Sequence, residues 1–294
     1  MRPTLLLLAG LSLATAGDAL RYAEDQAPGI VNPLFSTTMS EARVNELLFD
    51  SLYTDDQDLA TTPNLVTTSE LSEDMLTFTM RLRDDVMWHD GKPLVADDVV
   101  FTIEAMKSED TLSTEAGRVG FIESAQADSA RTLVLHFKEP EGRPEDKLTF
   151  KVLPKHRFSG RSVQRTDGFR TEPIGSGPYE LVRYNDDNSI TFQANGDYRA
   201  DVSIPQVILR EVTDKSYQAK LLIYESLEGL VRVLPRDLAV LQNNRDIELY
   251  PYQTNSWWYV GFNEQRAPFD DVRVRQALSH MVDIEALLAP MLTD

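Results

Sequence analysis

The sequence predicts an α/β fold, and three observations carry that prediction. After residue 172, stretches of strand character alternate with stretches carrying helical apolar stripes, the pattern of helices laid on a mixed sheet. Both side-chain periods are present elsewhere: Leu76 to Leu82 (LTFTMRL) alternates apolar and polar residues, while Val99, Ile103 and Met106 recur at helical spacing. The composition, 42% hydrophobic and 26% charged over 294 residues, fits a folded chain long enough for two domains and a sizeable core.

Taken in order, the first residues read as an export signal. Arg2 supplies a positive start, Leu5 to Leu13 an apolar core, and Ala14-Thr15-Ala16 a small-residue cleavage site, so the mature chain is expected to begin near Gly17. The apolar run is too short to span a bilayer as a helix, and no direct membrane insertion is expected once it is removed. Leu20 to Glu24 reads as a first strand and Gln26 to Met39, rich in Pro, Gly, Asn, Ser and Thr, as a loop. Ser40 is placed to cap a helix carrying Val44, Leu47 and Leu48. Asp90-Gly91 signals a hairpin. Phe121 to Ala125 and Thr132 to Phe137 read as paired strands, as do Ile174 to Tyr184 and Ser189 to Ala194 across an Asn-Asp-Asp-Asn turn. Gln206 to Val212 reads as a strand, Lys215 to Glu225 as a helix, Pro235 as the first residue of another helix, and Ile247 to Tyr252 as a strand. Trp257, Trp258, Tyr259, Val260 and Phe262 then predict a buried strand. A polar turn from Asn263 to Pro268 follows. Asp270 or Asp271 caps a last helix with Val274, Ala277, Leu278 and Met281 on one face.

Charge and cysteine usage exclude several function classes. With 29 basic against 47 acidic residues the formal net charge is −18, whose field repels phosphates and disfavours nucleic acid as a partner. The absence of cysteine removes disulfides, thiolate chemistry and attachment of a lipid at an N-terminal cysteine. His89, His136, His156 and His280 show no metal-ligand spacing, and no metal or cofactor is expected. The pairs Asp55-Asp56, Asp97-Asp98, Asp186-Asp187 and Asp270-Asp271 sit at turns and helix starts, where solvated capping explains them better than glycosidase chemistry. No G-x-S-x-G, P-loop or dinucleotide fingerprint is present, and catalysis is not expected.

Three motifs stand in order along the chain: MWHDGKPLVADDVVFTIEAMK from Met87, LPKH from Leu153 and IGSGPYELVRY from Ile174. Together they resemble the bacterial extracellular solute-binding proteins of the peptide-binding type (family 5), over about residues 19 to 292. Val95 departs from the Ser or Thr that usually caps the helix in that pattern, and Asn195-Gly196-Asp197-Tyr198 is a loose match to an Asn-Pro-x-Tyr element. The resemblance implies a periplasmic-binding-protein-like α/β lobe at residues 17–48 plus 172–258, with an inserted α+β subdomain, trimmed in length, at 49–171. Residues 259–294 would be the hinge crossing and the start of a second lobe that is largely missing from this sequence.

The same resemblance implies capture of peptides or another small solute in the periplasm, without a lipid anchor, for delivery to the membrane permease of an ABC importer. On that pattern Ser36, Thr37, Thr38 and Met39 offer backbone groups for strand-like pairing with a peptide. Trp257, Trp258 and Tyr259 supply aromatic cleft wall, with Trp257 and Tyr259 on one strand face and Trp258 on the other. Two alternatives stand beside this reading. One is a non-binding fragment or interaction module completed by another polypeptide; the other, less supported, is an exported hydrolase.

Overall fold

The structure, a computed structural model, describes residues 5–11, 19–158, 160–165, 168–224, 226–253 and 259–287. Its elements in chain order begin with β1 (Leu5–Leu11), β2 (Leu20–Glu24), α1 (Met39–Leu48), β3 (Tyr53–Asp55), β4 (Thr61–Pro63), β5 (Val66–Leu71) and β6 (Thr77–Leu82). Then come α2 (Ala96–Lys107), β7 (Ile122–Ser129), β8 (Thr132–Phe137), α3 (Lys155–Phe158), β9 (Tyr179–Tyr184) and β10 (Ile190–Ala194). The last are β11 (Gln206–Glu211), α4 (Lys215–Ile223), β12 (Gly229–Leu230), α5 (Pro235–Gln242), β13 (Ile247–Gln253) and α6 (Val272–Met281).

The strands build a seven-stranded mixed sheet in the order β13-β1-β12-β2-β11-β10-β9, and a four-stranded antiparallel sheet in the order β5-β6-β8-β7. β2 pairs in parallel with β11 on one side and β12 on the other; the remaining pairs are antiparallel. One apolar core joins the two sheets, running from Val44, Leu48 and Phe49 through Trp88, Val99 and Ile103 to Phe192 and Leu209. A smaller core of Leu222, Leu227, Leu230, Leu238 and Leu241 lies where α4 and α5 meet β12.

The recognisable motifs prove to be staples of the fold. Trp88 and Lys92 close the hairpin at 2.7 Å with Gly91 at φ +79°, a backbone conformation glycine adopts without strain. Buried Asp98 then gathers three donors: the Trp88 Nε1–H at 3.2 Å, the Val95 N–H at 2.9 Å and the Lys155 N–H at 2.9 Å. So the second Asp of the A-D-D run fastens the hairpin, the start of α2 and the LPKH segment to one carboxylate. Burial pushes the Asp98 carboxyl above the ordinary range, against the pull of those three bonds. Expectation placed Asp98 among solvated caps; it is buried because its three partners come from three different segments.

Val95 is the N-cap of α2, with φ −129° and ψ 164° and no side-chain capping bond. Val95→Thr supplies the missing acceptor on a backbone already in the capping conformation. It is expected to raise stability by about 1 kcal/mol in urea unfolding; an unchanged midpoint would show that Asp98 alone satisfies this helix end.

Two expectations need correction. The N-cap of α1 is Thr38, not Ser40, because Glu41 three residues on completes a capping box with it. Tyr259 to Phe262, the described end of the expected strand, run as irregular chain, and Tyr259 and Val260 are exposed. In the uncleaved chain Leu5–Leu11 pairs along its length with β13, from Leu5 opposite Gln253 to Leu11 opposite Ile247.

Candidate functional site

The crossover geometry selects one edge of the large sheet. β11 lies on one side of β2, and the chain returns through α4 to place β12 on the other side. The winding therefore reverses at β2. Crevices outside the carboxyl ends of parallel strands at such a reversal are where open α/β sheets bind ligands. The loop that leaves β2 at this edge is the one containing Ser36, Thr37, Thr38 and Met39.

Two ion pairs fix the frame of that edge. Glu24, the last residue of β2 and buried, takes a two-pronged bond from Arg43 of α1, with Nε–Oε1 and Nη2–Oε2 both 2.5 Å. Asp25 meets Lys215 of α4 at 2.8 Å, which holds its carboxyl below the ordinary range. The sheet end and the first turns of α1 and α4 are thus tied together around the loop.

Within the loop, Glu41 does most of the organising. Its Oε2 accepts the N–H groups of Thr37 (2.8 Å) and Thr38 (3.1 Å), and its Oε1 accepts that of Ile30 (3.0 Å). Burial opposes its charge, but these backbone donors outweigh the penalty and keep the carboxyl below the ordinary range. Asn32 caps the short turn Pro33–Phe35, and the hydroxyls of Ser113 (2.7 Å) and Thr114 (3.2 Å) hold the Leu34 carbonyl from the opposite side. Thr37 and Met39 end up exposed, Met39 with 67% of its surface free.

The arrangement differs from open strand-like pairing along the whole loop. Thr37 and Thr38 have committed their N–H groups to Glu41, and the Ser36 carbonyl accepts the Thr114 hydroxyl at 3.3 Å. The Ser36 N–H and the Thr37 carbonyl carry no hydrogen bond among the described residues. Glu41 was missed in the sequence, although Thr38-x-x-Glu41 is a legible capping-box signature.

Of the aromatic wall, Tyr259 lies on the surface with 74% of its area free. Trp257 and Trp258 lie outside the described residues. Nearby, Phe262 and Phe269 pack ring on ring at 5.2 Å.

The histidines play separate roles. His89 sits between the two glycines of the G-S-G-P-Y turn, its Nδ1 accepting the Gly175 N–H at 3.1 Å and its Nε2 donating to the Gly177 carbonyl at 3.1 Å. That pattern requires the neutral Nε2–H tautomer. Burial holds the His89 pKa below its ordinary 6.5. The unfolded chain therefore binds the proton more readily, so this contribution to stability is complete above about pH 6.5 and is lost as pH falls through the folded value. Thermal unfolding is expected to drop between pH 7 and 5, and His89→Gln to flatten that segment; an equal slope in the variant would place the effect elsewhere. His156 pairs with Asp90 at 2.7 Å and His136 with Thr77 at 3.2 Å. Among the described residues no cluster of three or more acids and histidines could hold a metal ion.

The comparisons with known proteins agree with this architecture. The profile of the bacterial extracellular solute-binding proteins, family 5, matches residues 60–293, and the chain belongs to that family. It is 25% identical to the dipeptide-binding protein of Escherichia coli, an alignment covering 96% of this chain and 58% of that one. The oligopeptide-binding protein AppA of Bacillus subtilis, solved with a nonapeptide, superposes with a TM-score of 0.84 at 24% identity over 92% of this chain and 55% of that one. NikZ of Campylobacter jejuni, solved with Ni(L-His), superposes with a TM-score of 0.78 at 26% identity, over 92% and 54%. The chain spans about half the length of the relatives it matches.

Proposed function

We propose that this chain captures peptides outside the cytoplasm for an ABC importer, binding them without transforming them. One observation carries the reading: a profile of solute-binding proteins matches most of the chain. The loop Ser36–Met39 stands at the sheet edge where such a fold offers a ligand site. In the proposed complex, the Ser36 N–H and the Thr37 carbonyl pair with peptide backbone, and Met39 lies against a side chain. Trp257, Trp258 and Tyr259 form the facing wall. Residues 17–48 with 172–258 act as one lobe, 49–171 as the inserted subdomain, and 259–294 as the crossing to a second lobe. Calorimetric titration of cooperatively folded protein with a pool of short peptides tests the reading. Saturable heat at one site supports it, and no heat with any peptide removes it.

Export belongs to the same proposal. Cleavage after Ala16 releases a chain beginning at Gly17 into the periplasm, free of lipid and ready to meet the importer's permease. Among the described residues no helix is long and apolar enough to cross a membrane. Cleavage would also remove β1 from between β12 and β13. Hydrogen exchange across β13 is therefore expected to be faster in residues 17–294 than in the full chain. N-terminal sequencing of exported material that still begins at Met1 would contradict the processing step.

A second reading is favoured by α6, which has no buried residue and leaves Val272 and Met281 exposed, and by Ile284 and Leu287 just after it, which are exposed as well. On that reading, solute is grasped only when further polypeptide covers this face. Light scattering separates a bare monomer from a self-covered oligomer.

A further inference from the structure

His89 and the G-S-G-P-Y turn hold each other by three bonds. The His89 N–H donates to the Gly175 carbonyl at 2.8 Å, the Gly175 N–H to His89 Nδ1 at 3.1 Å, and the Nε2–H to the Gly177 carbonyl at 3.1 Å. Only a neutral ring accepts through one nitrogen while donating through the other. We propose that this ring is an acid-sensitive latch on the loop Ser36–Met39: a second proton on it opens the latch, and bound peptide is released. Once Nδ1 carries a hydrogen, it points at the Gly175 N–H, and an attraction becomes a repulsion. The turn cannot shift alone, because it lies against the end of α1. The Gly177 N–H donates to the Leu48 carbonyl at 2.9 Å, and a side-chain carbon at Gly177 would stand 2.6 Å from the Leu47 carbonyl oxygen and 2.8 Å from the Phe49 nitrogen. α1 carries the movement over about 15 Å to its first turn. There Glu41 holds the Thr37 and Thr38 N–H groups.

The surrounding charges set the direction of the switch. Three carboxylates act on the ring: Glu180 from β9, Asp50 from the segment after α1 and Asp90 from its own hairpin. Each favours the charged ring, but burial outweighs them. Asp50 is gripped by Arg199 at 2.9 Å and Asp90 by His156 at 2.7 Å, which turns part of their pull elsewhere. His89 is only half-buried, so a proton reaches it without unfolding. The latch is therefore closed at neutral pH and opens as pH falls below the ordinary histidine value of 6.5. Glu41 keeps its carboxyl below its ordinary 4.5, so the loop's own acid stays ionised across that window. Binding and protonation are reciprocal: a peptide that favours the closed loop makes the ring harder to protonate. That the released ligand is a peptide rests on the proposed function; the coupling from His89 to the loop does not.

The test follows the full chain by NMR from pH 7 to 5, at a temperature where near-ultraviolet circular dichroism stays native throughout. The Gly175, Thr37 and Thr38 amide signals are expected to shift with the same midpoint as the His89 ring. In His89→Gln they should stay still, because the glutamine amide can accept from Gly175 and donate to Gly177 without titrating. A ring titration that moves Gly175 alone, or Thr37 and Thr38 shifts that persist in His89→Gln, overturns the latch. Should that variant not fold, unequal midpoints for ring and loop in the unaltered chain overturn it as well. In a second arm, a tripeptide without charged side chains is titrated calorimetrically at pH 7 and pH 5. Its affinity should fall about fivefold more in the unaltered chain than in His89→Gln, and saturating peptide should lower the midpoint of the ring. Equal falls in the two proteins would contradict the release step. If no peptide binds at pH 7, the peptide-capture reading falls, and the Thr37 and Thr38 shifts alone decide the latch.

Discussion

Gly175→Ala is expected to cost on the order of 3–4 kcal/mol, a large part of the stability of an ordinary domain. A methyl group added at Gly175 would lie 1.7 Å from the Leu48 carbonyl oxygen and 2.6 Å from its carbon. Those atoms are backbone at the C-terminal end of α1, so no side chain can swing aside. The same turn receives α1 through the Gly177 N–H, which donates to the Leu48 carbonyl at 2.9 Å, and is closed by His89. Forcing it open would shift α1, and with α1 the loop from Ser36 to Met39. Urea unfolding should show the loss, and Gly168→Ala, where an added carbon meets nothing within 4 Å, serves as the control. A Gly175→Ala protein as stable as the control would mean that this contact is not as close as described.

Arg199→Ala is expected to destabilise by about 3–5 kcal/mol, because it strands a buried carboxylate. Arg199 grips Asp50 with both prongs at 2.9 Å, and the pair is 10% and 4% exposed. Asn64 and Tyr198 complete the cluster: the Asn64 amide bonds both partners, and the Tyr198 hydroxyl donates to Asp50 at 3.3 Å. Burial pushes the Tyr198 hydroxyl up to about 12, so it remains a donor throughout the physiological range. The cluster fastens Asp50, two residues past the end of α1, to the segment between β10 and β11, which lies far along the chain. Removing the charge as well, in Asp50→Asn with Arg199→Ala, should recover much of the loss. Equal destabilisation in the single and double variants would show that packing, rather than an unpaired charge, carries the effect.

Much of the fold was legible because periodicity reports which face is buried. LTFTMRL became β6, the Val99, Ile103 and Met106 stripe became the buried face of α2, and Pro235 opened α5. β5 was not legible: VTTSEL is a polar edge strand with four exposed residues in a row, so it has no alternation to read. The described end of the predicted aromatic strand, Tyr259 to Phe262, shows the opposite case. Aromatic density marks a stretch that packs well, but it does not by itself make a strand, and residues 259 to 262 run as irregular chain.

The site was legible only in part. The loop was placed correctly by its turn residues, and its governing acid was visible in Thr38-x-x-Glu41. The motifs identified the family without revealing their own work, since Asp98 collects donors from three segments that meet only after folding.

The central claim is that the loop leaving β2 is where a peptide rests. Hydrogen exchange across Ser36 to Met39, measured with and without a saturating short peptide, tests it most directly. The account predicts slowed exchange at Ser36 on binding, with Thr37 and Thr38 already slow through Glu41. Saturable peptide binding that protects other segments and leaves Ser36 unchanged would contradict it.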